Sequence, residues 1–306
     1  MRIILTGASG LIGSRFEELM FEKHEIIPLS STNGIDITDK DSIENFLRDK
    51  EADVVIHLAA KTDVDGCETD KAEDLNALGI SEGQAMQVKM DDIDASPWQG
   101  KSTAFAINSV GTKNLYNVAQ LRGWKFVYIS TDFVFSGNED NYTEESEASP
   151  VDWYGMTKWL GEQVVNTGKD LNVRLSFPYG YQSPVKKDVV WKLHDFLGQK
   201  DEVSLISDQI ITPTFIDDIV YGLEFLLQQK VFGIIHLTGS SSLSPFDIGT
   251  KIKETFGFST TINESRLADV YAGKAARPFQ SIMKNDKLRT LGFVPKTFDE
   301  GLALIK

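Results

Sequence analysis

The chain has 306 residues and a net charge of −14, with 41% hydrophobic and 25% charged residues. That is the composition of a soluble globular protein, long enough for one large domain or a domain with an appended lobe. The acidic balance argues against a nucleic-acid partner, which needs a basic footprint, but leaves room for an anionic small ligand held by backbone dipoles or single cations.

The N-terminal "MRIILTGASG" has only a short apolar run before its glycines and does not resemble a signal peptide. No stretch approaches the ~20 apolar residues of a membrane span. A cytoplasmic protein without membrane contact is expected. The single cysteine, Cys67, excludes an internal disulfide framework, and His24, His57, His194 and His236 show no metal-ligand spacing, so no metal is expected.

Along the chain, "RIILTG" (2–7) reads as a buried strand and "LIGSRFEELMFEK" (11–23) as a helix. "HEIIPLS" (24–30) is a second strand, "DKDSIENFLRDK" (39–50) a second helix and "ADVVIHLAA" (52–60) a third strand. The acidic, weakly periodic stretch 68–103 reads as an insertion or extended helix-loop without an assignable role. A long helix follows over 104–123, then the strand "KFVYIST" (125–131). Near-continuous apolar strands alternating with amphipathic helices predict an α/β fold, a Rossmann-type doubly wound parallel sheet. Residues 1–170 are expected to form the dinucleotide-binding domain, with strands added by about 172–180 and 233–240. Residues 181–306, with helices over 214–229 and 244–257, are expected to be mainly a smaller, non-contiguous substrate-binding lobe.

The first β–α turn, "TGASGLIG", spaces Gly7, Gly10 and Gly13 as G-x-x-G-x-x-G. Glycines permit a tight turn and close backbone approach to phosphate, and the helix N-terminus offers free N–H groups. This order of strand, turn and helix points to a bound dinucleotide. At the end of the second strand, Ser30, Ser31 and Thr32 replace the acid that would bind the ribose of NAD and repel the phosphate of NADP. NADP(H) is therefore favoured over NAD(H), with dual use left open and a plain polar loop as the alternative.

Several further stretches, "DITD" (36–39), "HLAAKTDVDGCE" (57–68), "AINSVGTKNL" (106–115), "ISTDFVFSG" (129–137), "YGMTKWLGE" (154–162) and "RLSFPYG" (174–180), complete a pattern that runs through nearly the whole chain. With "DQIITPTFIDDI" (208–219) and "ARPFQSIMKNDKL" (276–288), the sequence resembles the extended short-chain dehydrogenase/reductase superfamily, in its dTDP-4-dehydrorhamnose reductase-like branch. The resemblance implies that Gly10, Leu11 and Ile12 lie against the pyrophosphate and that Asp36 and Ile37 flank the adenine. Ala59, Ala60, Lys61 and Thr62 would line the nicotinamide side, with Asn108 beside the active site. Thr131 matches the catalytic Ser/Thr, with Asp132 next to it. Two departures stand out: the acidic segment around 73–100 is longer than usual for the branch, and Phe177 replaces a tryptophan that would lie against the sugar.

Tyr154 and Lys158 share a helix face one turn apart. A nearby ammonium is expected to lower the phenol's pKa, making Tyr154 a general acid, while the lysine also reaches the nicotinamide ribose. The implied reaction is NAD(P)H-dependent reduction of a nucleotide-linked 4-keto-6-deoxysugar, with Arg277 as a contact to the diphosphate by charge and position. An NAD-dependent sugar-nucleotide epimerase or dehydratase and a non-catalytic cofactor-binding regulatory subunit stay open as alternatives, as does a homodimer.

Overall fold

The computed structural model describes residues 1–30, 33–180 and 187–306. In the first half, β1 (Arg2–Thr6), α1 (Leu11–Met20), β2 (Glu25–Leu29), α2 (Lys40–Leu47), β3 (Val54–His57) and α3 (Val64–Leu78) follow in order. Then come α4 (Thr112–Leu121), β4 (Lys125–Thr131), α5 (Trp153–Val164), β5 (Leu171–Leu175), β6 (Pro178–Tyr179), α6 (Val189–Gln199), β7 (Glu202–Ile206) and β8 (Thr214–Phe215). The chain continues through α7 (Ile216–Gln228), β9 (Gly233–His236), α8 (Pro245–Phe256) and β10 (Thr261–Ser265). Among the described residues, no helix is long and apolar enough to cross a membrane.

Six strands form one sheet in the order β2-β1-β3-β4-β5-β9. The pairings of β1 with β2, β1 with β3 and β3 with β4 are parallel, with Ile4 opposite both Ile27 and Val55. Such strands are covered on both faces, and all of Val54–His57 is accordingly buried. The chain leaves β1 toward the β2 edge and returns past β1 to β3. The carboxyl ends of β1 and β3 are therefore the point where the winding reverses, where doubly wound sheets bind ligands. On one face, Ile4, Val55, Phe126 and Tyr128 pack with Ile43 and Leu47 of α2 and Leu115 and Val118 of α4. Asp39 caps α2 by accepting the N–H groups of Asp41 and Ser42, which fixes where that packing helix starts.

The chain divides into two compact units. The first holds 1–134, 150–173 and 232–234, and the second holds 135–149, 174–231 and 235–306. In the second, β7 pairs with β10 and β6 with β8, both in parallel. Tyr179, Val190, Val203, Phe215, Ile248 and Phe298 are among the residues of its core.

The acidic stretch resolves into the fifteen-residue α3, closed by Gly79 in the left-handed conformation, and three short 3-10 turns at Glu82–Gln87, Met90–Asp92 and Ser96–Trp98. Lys113 of α4 donates its ammonium protons to the carbonyls of Met90, Asp91 and Ile93, and the Trp98 ring packs tilted against that of Phe105, with centroids 4.6 Å apart. The weak periodicity of this region follows from turns held by individual polar contacts rather than by a helical stripe. The helix read over 104–123 is not uniform either: Ala106–Gly111 form a π turn before α4.

Leu115 is fully buried in the first unit's core. Leu115→Ala should cost about 2–5 kcal/mol of stability, the range for a truncated core leucine. The check is the denaturant midpoint, which should fall without a change in slope.

Candidate active site

The glycine turn joins β1 to α1. Gly7 has φ +68, and a Cβ there would lie 2.8 Å from the backbone nitrogen of Ala59, so only glycine lets the turn sit against the end of β3. A Cβ on Gly13 would lie 2.3 Å from the Gly7 carbonyl oxygen and 2.7 Å from the Ala8 Cα. Gly10 is the N-cap of α1 and gives no side-chain cap, and the first turn carries no acid. Gly10, Leu11 and Ile12 thus present the N-terminal end of a ten-residue helix, with its positive end uncompensated by any carboxylate of its own.

Beneath the turn, His57 joins three elements. Its Nδ1 is 2.7 Å from the Thr6 hydroxyl and its Nε2 is 3.0 Å from that of Thr112. Thr112 donates to the Asn108 carbonyl at 2.7 Å, and Thr6 accepts the Ala59 N–H at 3.0 Å. The arrangement is satisfied when Nε2 carries the proton and Nδ1 accepts from Thr6. Burial, reinforced by Lys158, pushes His57 down to about 3, so the ring is neutral. This histidine is a structural strut.

β4 ends at Thr131 and runs into a 3-10 turn, Asp132–Val134. The Thr131 hydroxyl donates to Asp132 Oδ1 at 3.1 Å. α5 begins at Trp153, where Asp152 accepts the Gly155 N–H at 2.8 Å. A Cβ on Gly155 would stand 2.1 Å from the Phe133 carbonyl oxygen, and one on Gly161 would stand 2.2 Å from the Tyr128 hydroxyl. These two glycines let α5 press onto the end of β4, bringing Tyr154 beside Thr131 and the ring of Phe133, 5.5 Å away. Neither was singled out from the sequence. The signal was present, since glycine inside a helix costs roughly 1 kcal/mol relative to alanine and two in one twelve-residue helix call for a packing reason.

Thr131, Tyr154 and Lys158 are all buried. Burial pushes the Tyr154 phenol up, while a hydrogen bond with Thr131 pulls the other way. Burial also lowers the Lys158 ammonium to about 7. This reverses the expected balance for the tyrosine. Lys158 Nζ donates to the Ile129 carbonyl at 2.7 Å and lies 4.1 Å over the Tyr128 ring, so the cost of burial outweighs the pull of the ammonium on the phenol.

Asn108 sits in the π turn, a feature frequent at functional sites. Its Oδ1 accepts the Lys61 N–H at 2.8 Å, and its Nδ2 donates to the Lys61 carbonyl and to Thr157 Oγ1. It thereby links the segment after β3 to α5. Ala59 and Ala60 are half-buried beside this segment, Thr62 is exposed, and Lys61 forms an ion pair with Asp70 at 2.5 Å.

The remaining expected positions have local partners. Asp36 accepts the N–H and hydroxyl of Thr38, and Ile37 packs where a Cβ on Gly111 would touch it at 2.8 Å. Ser30 is buried and its carbonyl accepts the Asn33 N–H, while Ser31 and Thr32 lie outside the described residues. In the second unit, Phe177 has φ 40, a strained value for a bulky residue. Arg277 stacks 4.6 Å over Tyr271 and donates to the Ala275 carbonyl.

The family model described as the RmlD substrate binding domain matches residues 1–85 and 91–305, leaving out 86–90 within the acidic segment. The chain belongs to this family. A relative from Haloferax volcanii, named a probable low-salt glycan biosynthesis reductase, is 30% identical, with the alignment covering 100% of this chain and 97% of that protein. A dTDP-4-dehydrorhamnose reductase from Clostridium acetobutylicum superposes with a TM-score of 0.83 at 28% identity, covering 100% of this chain and 98% of the other. A dTDP-4-dehydrorhamnose reductase from Bacillus anthracis, solved in complex with NADP, gives a TM-score of 0.83 at 29% identity, covering 99% and 98%. The expected branch of the extended short-chain dehydrogenase/reductases is thus borne out, as is its Rossmann-type sheet.

Both His57 and His236 are fully buried and held down to about 3. Above pH ~6.5 they are neutral in folded and unfolded chains alike and have no effect. Below it the unfolded chain takes up protons that the folded one refuses, so stability falls progressively toward pH ~3. Denaturant midpoints measured across this range should drop, and His57→Gln should drop less steeply than the parent protein.

Proposed function

We propose that the protein reduces the ketone of a nucleotide-linked 4-keto-6-deoxysugar, using NADP(H) in preference to NAD(H). The observation that carries this reading is the meeting of Thr131, Tyr154 and Lys158 in one buried cluster within the same unit as the glycine turn. The names of the Haloferax, Clostridium and Bacillus relatives support the same reaction class. The residues fit a dinucleotide, since the turn at Gly7 and Gly13 leaves no room for side chains and opens onto the free N–H groups of α1. Bound NADPH would supply the hydride.

The chain's own groups handle the proton. Burial keeps the Tyr154 phenol protonated at neutral pH, so it holds a proton ready for the nascent alkoxide oxygen. Thr131 stands beside it with its hydroxyl proton on Asp132, and turning that proton from the carboxylate to the substrate would make Thr131 a second donor to the same oxygen. Lys158 at about 7 is partly charged near neutrality, and that charge favours the phenolate left after proton transfer. Preference for NADP rests on Ser30 at the end of β2, where a carboxylate would repel the additional phosphate. Asp36 and Ile37 on the adenine side, and Phe177 and Arg277 on the sugar nucleotide, belong to the proposal. The strained backbone of Phe177 agrees with a functional placement.

Incubation with NADPH and a dTDP-4-keto-6-deoxysugar should consume the reduced nicotinamide absorbance. Tyr154→Phe should lower kcat by about 10²–10⁴-fold with dinucleotide binding retained. Unchanged turnover would remove Tyr154 from its role. In the parent protein, kcat/KM should decline as pH rises through about 7, where Lys158 loses its proton. A profile flat across neutral pH would contradict that assignment.

A further inference from the structure

The acids of α3 form a grip on the helix that carries Tyr154. Asp74 is fully buried, and its Oδ2 accepts the indole Nε1–H of Trp153 at 2.8 Å and the backbone N–H of Phe105 at 3.0 Å. Trp153 is the first residue of α5 and directly precedes Tyr154. Its backbone N–H, one of the donors a helix start leaves without an intrahelical partner, goes to Glu68 Oε2 at 2.9 Å. Both the backbone and the ring of Trp153 are thus held by carboxylates of one neighbouring helix.

Phe105, the other donor, immediately precedes the π turn that carries Asn108. Asn108 returns to α5 through Thr157 Oγ1, at 3.0 Å, and Thr157 Oγ1 donates to the Tyr154 carbonyl, also at 3.0 Å. The contacts close a ring: Asp74, Trp153, Tyr154, Thr157, Asn108, the π turn, Phe105 and back to Asp74. We infer that Asp74 is a positioning residue, which sets the location of Tyr154 by tying the start of α5 to the start of the π turn. Burying a carboxylate is costly unless its hydrogen bonds repay it, and burial pushes this one up. A helix that needed only to pack could fill the same place with an apolar side chain. What a carboxylate oxygen adds is acceptance of two N–H groups from two separate elements at one point.

The inference rests on the reductase reading for its kinetic readout, so the test includes one that needs no substrate. Three variants separate the contributions: Trp153→Phe removes only the indole donor, Asp74→Ala removes the acceptor for Trp153 and Phe105 together with the Thr103 contact, and Asp74→Asn keeps an oxygen able to accept from Trp153 and Phe105. With NADPH and the keto sugar nucleotide, Trp153→Phe and Asp74→Ala should lower kcat by about 10- to 100-fold, the scale of a small misplacement of a reacting group. KM for the sugar and Kd for NADP should hold, and Asp74→Asn should recover most of kcat. In parallel, a fluorotyrosine placed at position 154 should show its fluorine resonance displaced in Trp153→Phe and Asp74→Ala and near the parent position in Asp74→Asn. Should Asp74→Ala fail to fold, Trp153→Phe carries the test. If folded Trp153→Phe keeps the parent's kcat, or if its fluorine resonance stays in place, the positioning role is overturned. If the parent turns over no 4-keto sugar nucleotide while the resonance moves as described, the reductase reading fails and the positioning role stands.

Discussion

The candidate site depends on how closely α5 approaches the end of β4. At Gly155 there is no space for even a methyl group against the Phe133 carbonyl, and at Gly161 none against the Tyr128 hydroxyl. Everything distinctive about the chemistry follows from that contact. It sets the Tyr154 phenol beside Thr131, and it drives the long Lys158 side chain inward until its ammonium meets the Ile129 carbonyl and the Tyr128 ring. A helix held one side-chain layer further out would keep the same tyrosine and lysine on its face, but solvated and ordinary.

Close packing has an electrostatic consequence. Burial favours the neutral form of each group, raising the phenol and lowering the ammonium. The tyrosine therefore keeps its proton near neutral pH, while the lysine stands near the midpoint of its own titration. The surrounding supports are themselves neutral or fully bonded. His57 is an uncharged strut between Thr6 and Thr112, and the Asn108 amide spends its donors and its acceptor on Lys61 and Thr157. The nearby acids act in the same sense as burial on the tyrosine, since Asp132 and Asp152 both disfavour a phenolate, while Glu162 favours the charged form of Lys158.

Much of this was legible in the sequence wherever function is written in local spacing. Gly7, Gly10 and Gly13 pointed to the tight β–α turn that the structure has, because such a turn needs glycines at those offsets, and Tyr154 and Lys158 could be placed on one face of α5 because four residues make about one helical turn. The six-stranded sheet followed from apolar runs that are buried on both faces. What could not be read depends on long-range contacts. The π turn at Ala106–Gly111 has no local sequence signature and looked like continuous helix, and the strand expected over 172–180 divides at the strained Phe177. The upward shift of Tyr154 depends on its burial, which spacing does not reveal. The acidic stretch after 68 read as an insertion or extended helix-loop without an assignable role, yet Asp74 is fully buried and Glu68 holds a backbone N–H of α5, because their partners lie about eighty residues away.

The central claim is that the cluster of Thr131, Tyr154 and Lys158 directs net hydride transfer to a sugar ketone. It is tested most directly with NADPH deuterated at the transferable position of its nicotinamide ring and a dTDP-4-keto-6-deoxysugar, followed by mass and NMR analysis of the sugar. The account predicts one deuterium bound to the carbon that carried the ketone, with an equivalent of NADP formed. A sugar altered without deuterium uptake, or cofactor that is not consumed, would contradict it.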